Sequence, residues 1–338
     1  TTATDLALNT LNPTPYSWSF TTETGGGGDP PATQVNTVIA TPHTNGGADI
    51  QLEWNEIPDA TFYNIYESTS VRGTGFNFAT PTYVVPGDGV GKIIYQLTGK
   101  YADASSYSWI VRAANANGEN TVIPATGGNM GYKLVKDIIR GTGAITPQMN
   151  YVALPMKMNL SANTAAGLRT DMRTYGNPIN SINSIGRWNA NTGLWEVRTG
   201  VGTNFNLLPG EAYRIDPVTG VNLVTYKIVG AHDNSTNTYS LIRGTGAITP
   251  QMNYISLPYH YNIGTNDAAS LRTNMRTYGT PINSINSIGR WNANTGLWEV
   301  RTGVGTNFVL TPGEGYRVDP VTGVNLVTWS CPLKIPSA

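Results

Sequence analysis

Charge is what this chain has least of. Only 12% of its 338 residues are charged, and 21 basic side chains balance 21 acidic ones. A neutral, charge-poor surface lacks the positive field that drives binding to nucleic acid or anionic membranes, so neither partner is expected. Long apolar runs are missing too. No stretch of about 18 apolar residues occurs, so no membrane span is expected. Cysteine occurs once, at Cys331, which rules out an intrachain disulfide and a thiolate metal cluster. Burial of Cys331 or pairing with another chain remains. The chain opens on Thr1 without a basic n-region and apolar h-region. It reads as a processed mature protein or a piece of a longer one.

Catalytic signatures are equally scarce. There is no Gly-x-Ser-x-Gly, His-Glu-x-x-His, phosphate-binding loop or dinucleotide fingerprint. His43, His232 and His260 have no metal-like spacing and read as exposed loop or strand residues. The carboxylates Glu196, Glu211 and Asp216 recur as Glu299, Glu314 and Asp319. Glu211 belongs to a Pro-Gly-Glu turn and Asp216 to Asp-Pro, which is ordinary strand-end chemistry. A glycosidase would need two carboxyl groups about 5–10 Å apart in a cleft. The expectation is no enzyme, with no catalytic, cofactor-binding or metal residues assigned. Calcium is the one ion the composition leaves room for, because it accepts Asn and backbone oxygens. Against it, no Asp-rich loop of the EF-hand type occurs, and Asp171 becomes Asn274 on repetition.

Repetition dominates what is present. The stretch INSINSIGRWNANTGLWEVRTGVGTNF runs from Ile179 to Phe205 and again, unchanged, from Ile282 to Phe308. The offset of 103 residues is constant from Arg140/Arg243 to Asp216/Asp319. Each copy reads as mostly β, with strands at NYVALPM, SIGRWN, LWEVRT, EAYRID and VNLVTYKIV. The one helix candidate has Ala165, Leu168 and Met172 on one face, Ser161 or Asn163 as cap and Gly176 at its end. Between SIGRWN and LWEVRT a four-residue loop, Ala190–Gly193, places Trp188 opposite Trp195 on one face.

Upstream, Tyr16, Trp18 and Phe20 alternate with small polar residues as in a strand. YSWSFTT resembles the end of the bacterial Ig-like domains of S-layer proteins. Gly25–Gly28 and Pro30–Pro31 form a linker, flexible first and stiff after. From Ala32 to Pro124, the L-x-W, Y-x-I-Y and Y-x-W-x-V-R-A-x-N-x-x-G set resembles a fibronectin type III domain. That resemblance implies a seven-strand sandwich with Trp54 in the core and Tyr107 at a corner. The repeat pattern, NY-[VI]-x-LP through SIxRWNxxTGxWE to PGE-x-YR-[VI]-D, resembles the repeat modules of prokaryotic cell-surface and S-layer-like proteins. It implies location and architecture more than chemistry.

The expected fold class is therefore all-β, mainly antiparallel: an Ig/fibronectin-like sandwich followed by two small β-rich repeat domains, each with one short helix. The expected units are an orphan strand segment (1–24), a linker (25–31), the sandwich (32–125), a Gly-rich hinge (126–131) and repeat copies at 132–231 and 232–338.

The copies differ most over Val152–Thr164, where VALPMKMNLSANT becomes ISLPYHYNIGTND. Met156 and Met158 become Tyr259 and Tyr261, as though one surface edge met a different neighbour in each copy. Drift after a recent duplication explains the same differences. Tyr16, Trp18, Phe20, Met156, Met158, Tyr259 and Tyr261 are accordingly the assembly candidates. A strand at 15–22 could complete a sheet in a neighbouring subunit, or could be what is left of a domain that lies upstream. Trp188, Trp195, Trp291 and Trp298 would stack on sugar rings if exposed and form core if buried. Asn159 and Asn234 stand in glycosylation sequons. Arg169 and Arg173 read as a solvated helix face. The expected function is an extracellular structural protein that assembles with copies of itself into a surface layer, sheath or filament. The alternative is an adhesin or carbohydrate-binding region of a larger secreted protein, with cell-wall glycans as partner.

Overall fold

The computed structural model describes residues 28–87, 91–124, 128–140, 149–233, 238–243 and 252–334. Tyr16, Trp18 and Phe20, and the sequon at Asn234, lie outside the described residues.

The first unit is an antiparallel sandwich. One sheet has β1 (Val38–Thr44), β2 (Asp49–Asn55) and β5 (Lys92–Leu97) in the order β1-β2-β5. The other contains β3 (Phe62–Ser68), β4 (Tyr83–Pro86), β6 (Tyr107–Asn115) and the short β7 (Gly118–Glu119) that turns back on β6. Alternation decides what faces inward. Leu52 and Trp54 from one sheet meet Tyr63, Ile65, Trp109 and Val111 from the other, all buried in one core. Tyr107 holds its corner by donating to Asp103 Oδ2 at 2.9 Å.

The second sheet continues past the sandwich. Strand β8 (Met130–Ile139) pairs with β6 through Met130–Lys133, and with β14 (Leu223–Ala231) along Gly131–Ile139. Strand β10 (Lys157–Met158) adds to the far side of β14. One sheet thus runs β10-β14-β8-β6-β3-β4 across the boundary between sandwich and first repeat. The described end of the expected hinge is corrected accordingly. Asn129 and Met130 are fully buried, and a Cβ on Gly131 would come within 2.9 Å of the Leu52 side chain. This glycine serves close packing, and the ladder bonds on both sides of β8 remove the freedom of a linker.

The repeats share one plan. In the first, β9 (Asn150–Ala153), β11 (Ile182–Asn189), β12 (Leu194–Arg198) and β13 (Ala212–Pro217) form a sheet ordered β12-β11-β13-β9. In the second, β16 (Asn253–Ser256), β17 (Ile285–Asn292), β18 (Leu297–Arg301) and β19 (Gly315–Pro320) give the matching order β16-β19-β17-β18. The pair β15 (Thr238–Ile242) and β20 (Leu326–Ser330) corresponds to β8 and β14, with Tyr239↔Trp329 standing where Lys136↔Tyr226 stand.

Each repeat has one helix, α1 (Ala165–Tyr175) and α2 (Ala268–Tyr278). Their buried faces are Ala165, Leu168 and Met172, and Ala268, Leu271 and Met275. The cap is Thr164, not Ser161 or Asn163: its hydroxyl accepts from the Gly167 N–H, as Asp267 accepts from Ser270 in α2. Gly176 keeps an ordinary φ of −69°. It is needed because a Cβ there would lie 2.4 Å from the Met172 carbonyl oxygen. Arg169 and Arg173 do not form a free solvated face. They donate to the Asn183 and Ile182 carbonyls, both at 2.8 Å, and tie α1 to β11. Cys331 is buried in the second repeat's core, and burial pushes its thiol pKa far up.

Candidate functional site: the two-fold seam between the repeats

The repeats meet along a seam built from corresponding residues of the two copies. The Val152↔Glu314 bridge has its counterpart in Ile255↔Glu211. The Ala153 N–H donates to the Gly313 carbonyl at 3.0 Å, and the Ser256 N–H to the Gly210 carbonyl at 2.8 Å. A contact from position i to j repeated as j to i is the mark of a two-fold interface. Here both halves lie in one chain, and the Pro-Gly-Glu turns of the first and second copies dock on β16 and β9 respectively.

Aromatic residues fill the seam. Tyr151 stacks on Tyr254, its own counterpart, with centroids 4.8 Å apart and planes 4° from parallel. Tyr151 then meets Trp298 at 5.0 Å and Tyr254 meets Trp195 at 5.1 Å. The cross-strand pairs expected at the hairpins are present: Trp188↔Trp195 at 5.3 Å and Trp291↔Trp298 at 5.4 Å. Trp291 is buried, and Trp188, Trp195 and Trp298 are half-buried in the same cluster. The condition for a sugar-stacking platform, exposure, is not met. Burial holds the Tyr151 hydroxyl at a pKa of about 12 and raises that of Tyr254 further.

Position 212/315 shows how tight the axis is. Ala212 is buried there, and a Cβ on Gly315 would come within 2.6 Å of the Ala212 Cβ and 3.1 Å of the Tyr151 backbone. One copy carries Ala and the other Gly because two methyl groups do not fit.

Glu196, Glu299, Asp216 and Asp319 are held by neighbouring cations. Arg187 binds Glu196 at 2.6 Å and Arg290 binds Glu299 at 2.5 Å. Both carboxyl groups sit below their ordinary pKa: hydrogen bonds from Asn189 and Arg187 lower Glu196, and those from Arg290 and Asn292 outweigh burial at Glu299. Asp216 accepts from Ser184 at 2.6 Å and pairs with Arg214 at 3.1 Å, and Asp319 repeats both contacts. Among the described residues no group of three or more His, Cys, Asp or Glu is placed to hold a metal ion.

Two clefts open on the seam, related by the same two-fold. One of about 450 Å³ is lined by Arg187, Trp188, Asn189 and Glu211 with Tyr239 and Tyr254. The other, about 230 Å³, is lined by the counterparts Arg290, Trp291, Asn292 and Glu314 with Lys136 and Tyr151.

The divergent segment is not a free edge. Met156, Tyr259 and Tyr261 are buried and Met158 is half-buried. In copy one, Asn159 is exposed and its amide donates to the sandwich's Thr41 at 2.9 Å. In copy two, Tyr259 packs on Tyr132 with centroids 3.9 Å apart and touches His232 Nδ1 at 2.5 Å. Tyr261 lies under Arg72 of the sandwich, 4.0 Å from guanidinium to ring, and also hydrogen-bonds it. The segment does face different neighbours in the two copies, and both are parts of the same chain.

The side chains of His43 and His260 are likewise not at the surface, and His232 is half-buried. The His43 side chain is 8% exposed and stacks on Tyr175 at 3.3 Å, with Nε2 3.3 Å from Asp171. His260 is buried beside His232 and Tyr259. Asp171 accepts from Tyr226, and its counterpart Asn274 accepts from the Trp329 ring N–H at 2.9 Å. The Asp/Asn exchange thus follows a change of partner. Sequence reasoning missed the seam, although the invariance of both Trp hairpins was its signal.

No family model matches the chain, and no curated protein matches it. Among solved structures it is similar to the crystal structure of chicken CNTN1 FN1–FN3 domains, at 9% identity and a TM-score of 0.15. That match covers 90% of this chain and 98% of the other. A score so low leaves the sandwich to rest on its own strand order and core. No helix among the described residues is long and apolar enough to cross a membrane.

Proposed function

We propose that this chain is a structural unit of an extracellular surface assembly, of the kind built by S-layer proteins and tandem surface modules. One observation carries the reading. The two repeats leave the same apolar side chains in water: Ile179 and Ile282 at 66% and 67%, Leu194 and Leu297 at 62% and 60%, Val201 and Val304 at 76% and 77%. Exposed apolar side chains at matching places are what a surface destined for another chain retains. The seam relates the copies by a local two-fold, so these side chains recur at two equivalent sets of positions on one body. A body with two equivalent sticky faces adds a neighbour at each and propagates.

The internal construction suits that role. The shared sheet, the aromatic seam and the Arg72 and His43 contacts join three units into one body, so a contact made at one face fixes the orientation of the other. Copies of this chain are the proposed partner, and no ion is required by the contacts described.

Electron microscopy of the full chain tests the reading. Ordered sheets or filaments are expected, unchanged by a calcium chelator, and dispersed by the double substitution Val201→Asp/Val304→Asp. Single particles at all concentrations would overturn it and favour the adhesin alternative. Loss of order on chelation would bring calcium into the assembly.

A further inference from the structure

The two clefts on the seam have the same frame and different contents. In the smaller, Lys136 Nζ lies 2.6 Å from Glu314 Oε2, across from the first repeat to the second. The residue related to Lys136 by the two-fold is Tyr239. Its ring is buried and its hydroxyl donates to the Ser256 carbonyl at 2.7 Å, so it sends no cation into the larger cleft. Glu211, the counterpart of Glu314, is left with Arg187 at 3.9 Å as its ion pair among the described residues. That guanidinium is already held by Glu196 through Nε at 2.9 Å and Nη2 at 2.6 Å. The tyrosine Tyr213 donates to Glu211 at 3.2 Å.

The same carboxylate therefore meets an ammonium at 2.6 Å in one copy and, in the other, has a cation no nearer than Arg187 at 3.9 Å among the described residues. The cleft is larger where the lysine is missing, about 450 against 230 Å³. Burial raises the Glu211 carboxyl pKa, as expected of a group partly removed from water without a close cation. Its side chain remains 33% exposed, enough to be reached from outside. The walls include the half-buried Trp188 and Asn189, whose amide is held by Glu196 and the hairpin turn, so Glu211 is the group there that a cation would meet. A volume of several hundred Å³ suits a small polar ligand.

We propose that the larger cleft binds a primary ammonium group, carried by an amino sugar or by a lysine side chain from another chain, with Glu211 as its anion. The internal standard is Lys136 on Glu314, which shows the geometry such a group adopts in this frame. The site lies on the intrachain seam, so it goes beyond the assembly reading and does not depend on it.

Titration calorimetry on the full chain decides. The probes are glucosamine, N-acetylglucosamine and Nα-acetyl-lysine amide, against the native protein, Glu211→Gln and Glu314→Gln. At least one of the two amines is expected to bind the native protein and Glu314→Gln alike. Glu211→Gln should bind it at least about tenfold more weakly, since a neutral hydrogen bond replaces a charge-assisted one. Binding of glucosamine alone identifies an amino sugar, and binding of the lysine amide alone identifies a side chain. No binding by either amine, equal binding of the N-acetylated sugar, or binding that survives Glu211→Gln would overturn the proposal. Thermal melts of both variants separate loss of the site from loss of the fold.

Discussion

Tyr151 lies flat on Tyr254, the same residue of the other repeat, with ring planes 4° from parallel. A residue that stacks on its own counterpart marks the axis of the seam, and the backbone bridges and aromatic contacts made across it by one copy are returned by the other. The tandem repeat is an internal dimer more than two beads on a string.

Truncating either ring should open the same cavity. Tyr151→Ala and Tyr254→Ala are each expected to destabilise by about 3 kcal/mol or more, in the range of large aromatic truncations. The double variant should cost clearly less than the sum, because each ring is the other's partner. Denaturant unfolding of the four proteins in the cycle measures this; additive losses would remove the stack from the seam's energetics.

The Ala212/Gly315 pair makes a prediction that can be reversed. Gly315→Ala brings two methyl groups within 2.6 Å of each other, and overpacking of this kind costs about 1–3 kcal/mol. Ala212→Gly added to it exchanges the two residues and should recover most of the loss. Melting temperatures of the single and double variants check it, and failure of the second change to rescue would place the strain elsewhere.

His260 sets a pH dependence. Burial and then the neighbouring His232 lower its pKa to about 3, against the opposing charge of Asp233. Its folded pKa lies below the ordinary imidazole value of 6.5, so the unfolded chain takes the proton first. Stability is therefore full above about pH 6.5 and falls as pH drops toward 3, by at most about 1.4 kcal/mol per pH unit for one proton. His260→Asn should flatten that part of the stability profile. An unchanged slope between pH 6 and 4 would show that other groups carry it.

Arg72 fastens the sandwich to the second repeat through the Tyr261 ring and hydroxyl and the Leu310 carbonyl at 3.4 Å. Arg72→Ala should cost about 0.5–2 kcal/mol. Hydrogen exchange should then rise near residues 259–263 while the cores keep their protection. Unchanged exchange there would mean the contact does not hold the units together.

Several elements were legible because their causes are local. Trp188 opposite Trp195 follows from the length of one hairpin loop, and Leu52 and Trp54 in the core follow from alternation along one strand. Buried Ala165, Leu168 and Met172 follow from helical spacing. The strand β8 was not legible as one element, because glycines beside it look like a linker until Leu52 and β14 are in place. Tyr259 and Tyr261 looked like a variable edge, since nothing in the residues near them names Tyr132 or Arg72 as a neighbour. The seam was hidden for the same reason: two identical stretches show that something is repeated, not that the copies face each other.

The all-β character, the repeat of 103 residues, the paired Trp hairpins and the helix faces are all readable from the residues in order. These arise from periods and turns acting over a few residues. Folding in three dimensions is what joins the sandwich to the first repeat through β8, closes the aromatics into a two-fold seam, and puts Glu211 and Glu314 in matching clefts with one lysine between them. Those outcomes depend on side chains far apart in the chain that must fit each other's shape and charge, and no local pattern encodes such a fit.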